Sequence, residues 1–447
     1  MNLLDIATEA VEKAVRRGAT GAECTLAEGD EFEASVRMSE VETLKEAGSR
    51  SAGIRILIGQ RVGSSYTSDL SPDGIAQMLD AAFQIAEITT EDPFAGLPDP
   101  GDLGKLDGDL QLYSTDIDEL STSQKIELAR RTEAAALNYD PRITNSKGAS
   151  FDTYTGRRVF ANSLGFAGEY RSSYCSLSVM PVAKEGALME RDYWHSSSRR
   201  LSGLDQPEEV GRIAAERVIR RLGAQKVPTQ KVPVIFEPRT ARSLLGHVFE
   251  AVHGSAIYRG ASFLAGKLGE KIAAASVNVI DDGTLPGLMG TSPFDDEGVP
   301  SRRTVVIENG VLKSYMLNSY TARKLGLRTT GNASRGVTGN AGISTGNFYL
   351  EKGTQSQDEL IRGVKNGFFV TELIGQGVNT VTGDYSRGAA GVWIRDGELA
   401  FPVSEVTIAS TLQEMLAGIA GIGSDLCFRN SMESPTLMIG EMTVGGR

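Results

Sequence analysis

The chain has three histidines, His195, His247 and His253. Two of them fall in the segment 246–254, GHVFEAVHG, with Glu250 three residues from each. Two imidazoles and a carboxylate on a helix are the equipment of a zinc peptidase: the ring nitrogens hold the metal, and the glutamate takes a proton from metal-bound water. The spacing argues against that use. In HExxH the rings are four residues apart and share a helix face. Six residues place His247 and His253 about 240° apart on a regular helix, so the two cannot grip one ion without distortion. On spacing alone, the segment is an ordinary helix.

Other chemistries are weaker still. No GxSxG elbow is present, and a Ser-His-Asp hydrolase would have to draw on one of these few histidines. The glycine-rich runs 418–423 (GIAGIG) and 375–391 have neither a GxGxxG pattern nor a phosphate-loop lysine. They read as turns and bulges between strands. Two acidic runs, Asp281-Asp282-Gly283 and Asp295-Asp296-Glu297-Gly298, offer calcium-type oxygens. They lack EF-hand spacing and read as turn formers. Cys24, Cys175 and Cys427 form no CxxC pair, so neither a disulfide framework nor a cysteine-rich zinc site is expected. Such usage fits a reducing compartment, and Cys427 reads as a buried structural cysteine.

The elements that must position the 246–254 segment follow from periodicity. An amphipathic helix carries Leu3, Ala7, Ala10, Val11 and Ala14 on one side and stops at Arg16-Arg17-Gly18. Residues 31–38 alternate as a strand with Phe32, Ala34, Val36 and Met38 on one face, and Ile54, Ile56 and Ile58 alternate toward a Gly59-Gln60 turn. Ser71-Pro72-Asp73 opens a second helix bearing Leu79, Phe83 and Ala86. Residues 92–118 read as a long loop, and Ser121 with Gln124 forms a capping box before a third helix. Residues 142–183 read as strands, with turns at Lys147-Gly148 and at 162–165. A fourth helix follows Pro207 and ends at Gly223, its Arg220-Arg221 complementing the dipole as Arg16-Arg17 do in the first.

The stretch 223–231 is the main boundary. Beyond it, a strand at 232–236 leads into a helix over about 240–253, and the rest is rich in strands, turns and glycine. Asn309-Gly310 and Asp396-Gly397 each sit between apolar runs as hairpin turns. The expected fold is α+β: an N-terminal α/β domain of sheet and flanking helices, and a β-rich C-terminal domain with a few helices. Segments 1–90, 91–225 and 226–447 are the expected units.

With 447 residues, the chain has ample material for a large core. Its formal net charge of −11 disfavours nucleic acid and anionic membranes as partners over most of the surface. The N-terminus carries early acids and no uninterrupted apolar core, unlike a signal peptide, and no window reaches the ~18 apolar residues of a membrane span. A cytoplasmic protein is expected.

The C-terminal half carries a more specific signal. The runs HGSAIYRGASFLAGKLGEKI, TSPFDDEGVPSRRT, LNSYTARKLGL, FFVTELIGQGVNTVTGDYSRGAAGVWI and ELAFPVSEVTIA resemble the TldD/PmbA family, also known as modulators of DNA gyrase. The N-terminal half matches more loosely, in layout. One branch of that family, TldD-like, resembles a zinc peptidase with an HExxxH helix and a distant cysteine ligand. The other, PmbA or TldE, is its partner and lacks the metal site. GDYSRGAAG and PVSEVTIA have the character of the second branch.

By that resemblance, FEAVHG at 249–254 lies where the active branch has HEAVGH. Phe249 stands in place of the first histidine and offers no lone pair. Glu250 matches the catalytic glutamate. The segment is one residue shorter, which puts His253 near the second histidine but out of register. Cys427 in GSDLCFRN sits too soon, with too short a tail, to match the cysteine ligand, although a thiolate would bind zinc. The resemblance implies no metal and no cofactor in this chain, zinc in a TldD-like partner subunit, unfolded peptides as substrates, and homo-oligomers when the chain is isolated. Two alternatives stay open. The chain could be a metallopeptidase in its own right, using His253, Glu250 and either His247 or Cys427, or a non-enzymatic, peptide-binding homodimeric scaffold.

Overall fold

A computed structural model describes residues 2–446. The first half comprises α1 (Leu3–Arg16), β1 (Gly21–Arg37), β2 (Glu40–Ile58), β3 (Arg61–Thr67), α2 (Pro72–Ile88), α3 (Thr122–Leu137), β4 (Ile143–Asn162), β5 (Ala167–Glu185), β6 (Leu188–Arg191), β7 (Trp194–Ser198) and α4 (Pro207–Ile219). Its strands form one antiparallel sheet in the order β3-β2-β1-β4-β5-β6, with β7 also on β5. The long strands make room for two helix pairs. Ala22, Cys24 and Leu26 of β1 pack under α1 and α2, while Val36, at the far end of the same strand, packs with α3 and α4. These positions are all even-numbered and therefore share a face. The helix starts follow the expected caps: Ser71 accepts from Gly74, and Ser121 with Gln124 closes a capping box.

Several local expectations are corrected. Met38 does not extend the buried face of β1. It and Ser39 take positive φ in the hairpin turn, and Met38 is exposed. Lys147-Gly148 is a bulge inside β4 rather than a turn between strands, because the register against β5 shifts between Ser146 and Ala149. Arg220 and Arg221 are not solvated helix-end cations. Arg220 lies over the Phe369 ring, and Arg221 pairs with Glu190 and Glu372.

The second half comprises β8 (Gln230–Phe236), α5 (Pro238–Val252), α6 (Gly254–Tyr258), β9 (Val279–Asp282), β10 (Arg303–Glu308), β11 (Val311–Leu312), α7 (Ser319–Leu325), β12 (Ala333–Ser334), β13 (Gly342–Ile343), β14 (Phe348–Leu350), α8 (Gln357–Arg362), β15 (Asn366–Ile374), β16 (Asp384–Arg395), β17 (Glu398–Thr411), α9 (Leu412–Ala417), β18 (Ile419–Ile422), β19 (Met432–Glu433) and β20 (Leu437–Gly445). The fold is α+β, as expected. The strands β17-β16-β15-β8-β20 pair in sequence, and β20 pairs back onto β17 through Thr407↔Gly445 and Ile408↔Val444. The sheet therefore closes into a barrel, which removes its free edges. Both expected hairpin turns are present: Asn309 and Gly310 take φ of 49° and 79°, and Asp396 and Gly397 take 51° and 82°, as a type I′ turn requires.

Alternation along β8 builds two cores. Val234 and Phe236 face the main core together with α5. Ile235 faces a smaller one with Leu360, Ile361 and Phe369, covered by α8. On α5, Ala241, Leu244, Leu245, Val248, Ala251 and Val252 are buried, the stripe expected of a core-facing helix. No helix among the described residues is long and apolar enough to cross a membrane.

The face of the N-terminal sheet away from its helices packs on loops of the second half. Gly53 allows the closest approach, since a Cβ there would stand 1.9 Å from the Val337 carbonyl oxygen. Beside it, Glu23 is buried between Arg55, at 2.8 Å, and Arg335. Burial alone would raise the Glu23 carboxyl, but the two guanidiniums outweigh it and hold the group below its ordinary range. Removing one member of a buried ion group leaves the others uncompensated, at a cost of about 3–5 kcal/mol. Glu23→Gln is therefore expected to lower stability by that amount in urea unfolding. A change under 1 kcal/mol would show the group to be solvated.

Candidate functional site

The helix α5 starts one residue after β8, and that residue, Glu237, is held from three sides. Its amide donates to the Val370 carbonyl at 3.2 Å. Its carboxylate takes Arg217 of α4 bidentately at 2.6 and 2.9 Å. Arg239, in the first turn of α5, pairs with Glu237 at 3.5 Å and bonds Asp192 at 3.0 Å. Buried guanidinium–carboxylate forks of this kind are directional, so they set how α5 lies against β8 and β15.

Two turns further on are the residues singled out by spacing. Glu250 is exposed, and its nearest polar neighbour is His247 Nδ1 at 3.3 Å. The other nitrogen of His247 is buried without a partner, and its ring meets Tyr385 edge-on at 6.2 Å. Phe249 is wedged between the His253 ring and Phe348, each 5.7 Å away and near-perpendicular. His253 has left the helix. With φ −64° and ψ 121° it is the corner residue between α5 and α6, and its Nδ1 accepts from the Ser255 amide at 3.2 Å. A hydrogen bond to the Ile343 backbone favours the protonated ring. Burial, only partly opposed by that bond, lowers the His253 pKa and favours the neutral ring.

These residues do not fit a zinc ion. Phe249 occupies the space between the helix and Phe348 with an aromatic ring, and His253 sits at a corner where its Nδ1 is committed to the Ser255 amide. His247 is not brought together with His253. Among the described residues, no three His, Cys, Asp or Glu groups stand together as a metal site. Cys427, expected to be buried, is exposed. Its sulfur takes a contact from Arg429 at 3.4 Å, in a separate cavity beside the N-terminal end of α5.

The comparisons place this site in a family. Three successive models match: PmbA/TldA metallopeptidase domain 1 over residues 22–86, the central domain over 115–222 and the C-terminal domain over 229–446. The metalloprotease PmbA of Escherichia coli O157:H7 is 39% identical over 427 residues, covering 96% of this chain and 92% of its own. The chain belongs to the PmbA/TldD metallopeptidase family. Within Haemophilus influenzae the contrast between branches is visible. The PmbA homologue is 37% identical, covering 98% of this chain and 94% of its own, while the TldD homologue is 25% identical, covering 89% and 87%. A solved structure from Bacteroides thetaiotaomicron, named as a candidate modulator of DNA gyrase, superposes with a TM-score of 0.92 at 28% identity, covering 99% of this chain and 98% of that one. TldE from Thermococcus kodakarensis has the same fold, with a TM-score of 0.88 at 24% identity, covering 98% and 100%.

The acidic runs act in part as the turn formers expected. Asp295 caps a turn, accepting from the amides of Glu297 and Val299. Asp282 accepts from the amide and hydroxyl of Thr284 in the turn after β9, while Asp281 lies within that buried strand. Asp281, Asp295 and Asp296 line a polar cavity of about 410 Å³ with Arg199, Arg302 and Tyr170. Sequence spacing could not have found it, because its walls come from both halves of the chain. Burial pushes the Asp281 carboxyl up to about 7, opposed by bonds from Asn332 and the Gly346 backbone.

Two predictions follow from this geometry. Phe249→His writes HExxH into α5, yet His253 lies past the end of that helix and its Nδ1 caps α6. The variant is expected to hold no stoichiometric zinc by elemental analysis after dialysis, and one equivalent would show that the cap opens readily. The second concerns pH. Above pH ~4 an unfolded aspartate is ionised, whereas folded Asp281 keeps its proton until about 7. The folded state then binds more protons, so this group's contribution to stability falls as pH rises from ~4 to about 7 and levels off above. Urea unfolding of the Asp281→Asn variant should lack that decline, and parallel curves for the two proteins would refute the assignment.

Proposed function

We propose that this chain is the PmbA-like, non-catalytic subunit of a cytoplasmic TldD/PmbA-type metallopeptidase complex. It carries no zinc and supports a TldD-like subunit that cleaves unfolded peptides. The observation that carries this reading is the state of α5: the ligand position is filled by Phe249 against Phe348, and the remaining histidine is spent on a helix cap. The greater identity to PmbA than to TldD in one organism supports the branch. So does the burden that α5 carries in the core, which preserves the helix without a metal. Residues 40–51 of β2 pair only with β1 and leave the outer edge open. An open edge suits capture of an extended chain by main-chain bonds.

Co-expression with a TldD-like subunit tests the proposal. The two chains are expected to elute together, with zinc tracking the TldD-like chain. Because Glu250 in this chain would handle no metal-bound water, Glu250→Gln is expected to leave peptide cleavage by the complex within about twofold, under 0.5 kcal/mol in barrier. Stoichiometric zinc in the isolated chain, with cleavage abolished by Glu250→Gln, would overturn it.

A further inference from the structure

A second cavity, of about 500 Å³, lies where the first turn of α5 meets α4, β7 and the segment 425–433. Arg217, Arg220, Arg239, Arg242 and Arg429 all line it. Its carboxylates are already engaged. Glu237 holds Arg217, and Asp425 accepts from the amide and hydroxyl of Thr436 at 2.9 and 2.7 Å. Glu433 accepts from the amides of Arg429 and Asn430 and from the Asn430 side chain. Glu216 pairs with Arg212 outside the cavity.

Three donors are left over. Arg242 comes no closer than 3.9 Å to Glu433, and Arg220 no closer than 3.8 Å to Glu237, both beyond hydrogen-bonding reach. The indole N–H of Trp194 is buried without an acceptor, although its ring lies between the guanidiniums of Arg217 and Arg429 at 5.4 and 5.3 Å. The local field is positive. Burial and then Arg242, Arg429 and Arg239 push His195 down to about 4, so the imidazole adds no charge near neutrality. The helix N-terminus adds its own partial positive charge.

We propose that this cavity binds the free carboxylate at the C-terminal end of a peptide, held by Arg242 and Arg220, with the last side chain against Trp194, Ile213 and Pro238. The cations and the unpaired donors call for an oxyanion. The volume and the apolar wall exceed what a bare inorganic ion fills. The choice of a peptide as the source of the carboxylate rests on the function proposed above. Arg242 and Phe249 are seven residues apart on α5, nearly in line along one face and about 10 Å apart along the axis. A peptide anchored here would therefore run beside the helix that its relatives use for catalysis.

Calorimetric titration of the full isolated chain tests this, using N-acetyl-Gly-Gly-Leu as free acid and as amide, and inorganic phosphate. The acid is expected to bind and the amide to bind about tenfold or more weakly, the loss of one charge-assisted hydrogen bond. Arg242→Gln and Arg220→Gln should each weaken the acid to a similar degree. Cys427 is exposed on the cavity wall, so saturating acid, but not amide, should slow its alkylation by iodoacetamide. That measurement needs no variant and decides the matter if a substitution impairs folding. Equal affinity for acid and amide, no binding of the acid, or binding of phosphate alone would overturn the proposal. Because the chain is tested without a partner, these outcomes are independent of whether a TldD-like subunit co-elutes.

Discussion

The single residue between β8 and α5 constrains much of this molecule. Glu237 has no slack: its amide is tied to β15, and its carboxylate to α4 in the other half of the chain. Asp192, at the end of the N-terminal sheet, takes Arg239 and Arg217 into the same buried group. Replacing such a group with apolar residues can leave stability unchanged, so its distinctive contribution is direction. It fixes the angle at which α5 lies against β8 and β15, and with it where Arg242 and Phe249 point. The closed barrel provides the rigid side of the joint, and the helix-covered sheet provides the other.

The helix so placed is held by its packing. Leu244, Leu245, Val248, Ala251 and Val252 lie in the main core, and truncating any of them would leave a cavity. The residues on its other face are engaged in different ways. Phe249 adds edge-to-face aromatic packing with Phe348, and His253 turns the chain into α6. Glu250 is the exception. It is exposed and weakly engaged, so packing gives no reason for its identity.

Much of the architecture was legible because period and punctuation agreed. The amphipathic stripe of α1, the Ser71 and Ser121 caps and the two type I′ turns all follow from local chemistry, and all appear where that chemistry puts them. The misreadings share a cause. Met38 continues a period-two pattern into a turn. Gly148 looks like a turn but is a bulge within a strand that continues past it. Asp281 carries a turn-forming side chain yet lies in a buried strand. In each case tertiary pairing overrode a local preference. Barrel closure could not be read at all, since nothing local in β17 and β20 announces that they meet. Of the site, an aromatic ring with no lone pair at 249 was legible in the sequence. The place of His253 as the corner between α5 and α6 was not, because the next amide, Gly254, is held by Met316 far downstream.

Charge shows the same gap between local and global reading. The chain carries a net −11, which governs its long-range repulsion of polyanions. It says little about a cavity whose walls come from α4, α5 and the 425–433 segment. Arg220 illustrates the difference. As one of two adjacent arginines at a helix end, it looks like a solvated cation answering the dipole. In the fold it is half-buried against Phe369, faces a cavity and lacks a hydrogen-bonding carboxylate. An arginine kept in a partly desolvated site without a hydrogen-bonded anion costs free energy. Arg242 and the indole of Trp194 add to that cost on the same wall. Three such groups converging on one space give a physical reason for an oxyanion to complete it.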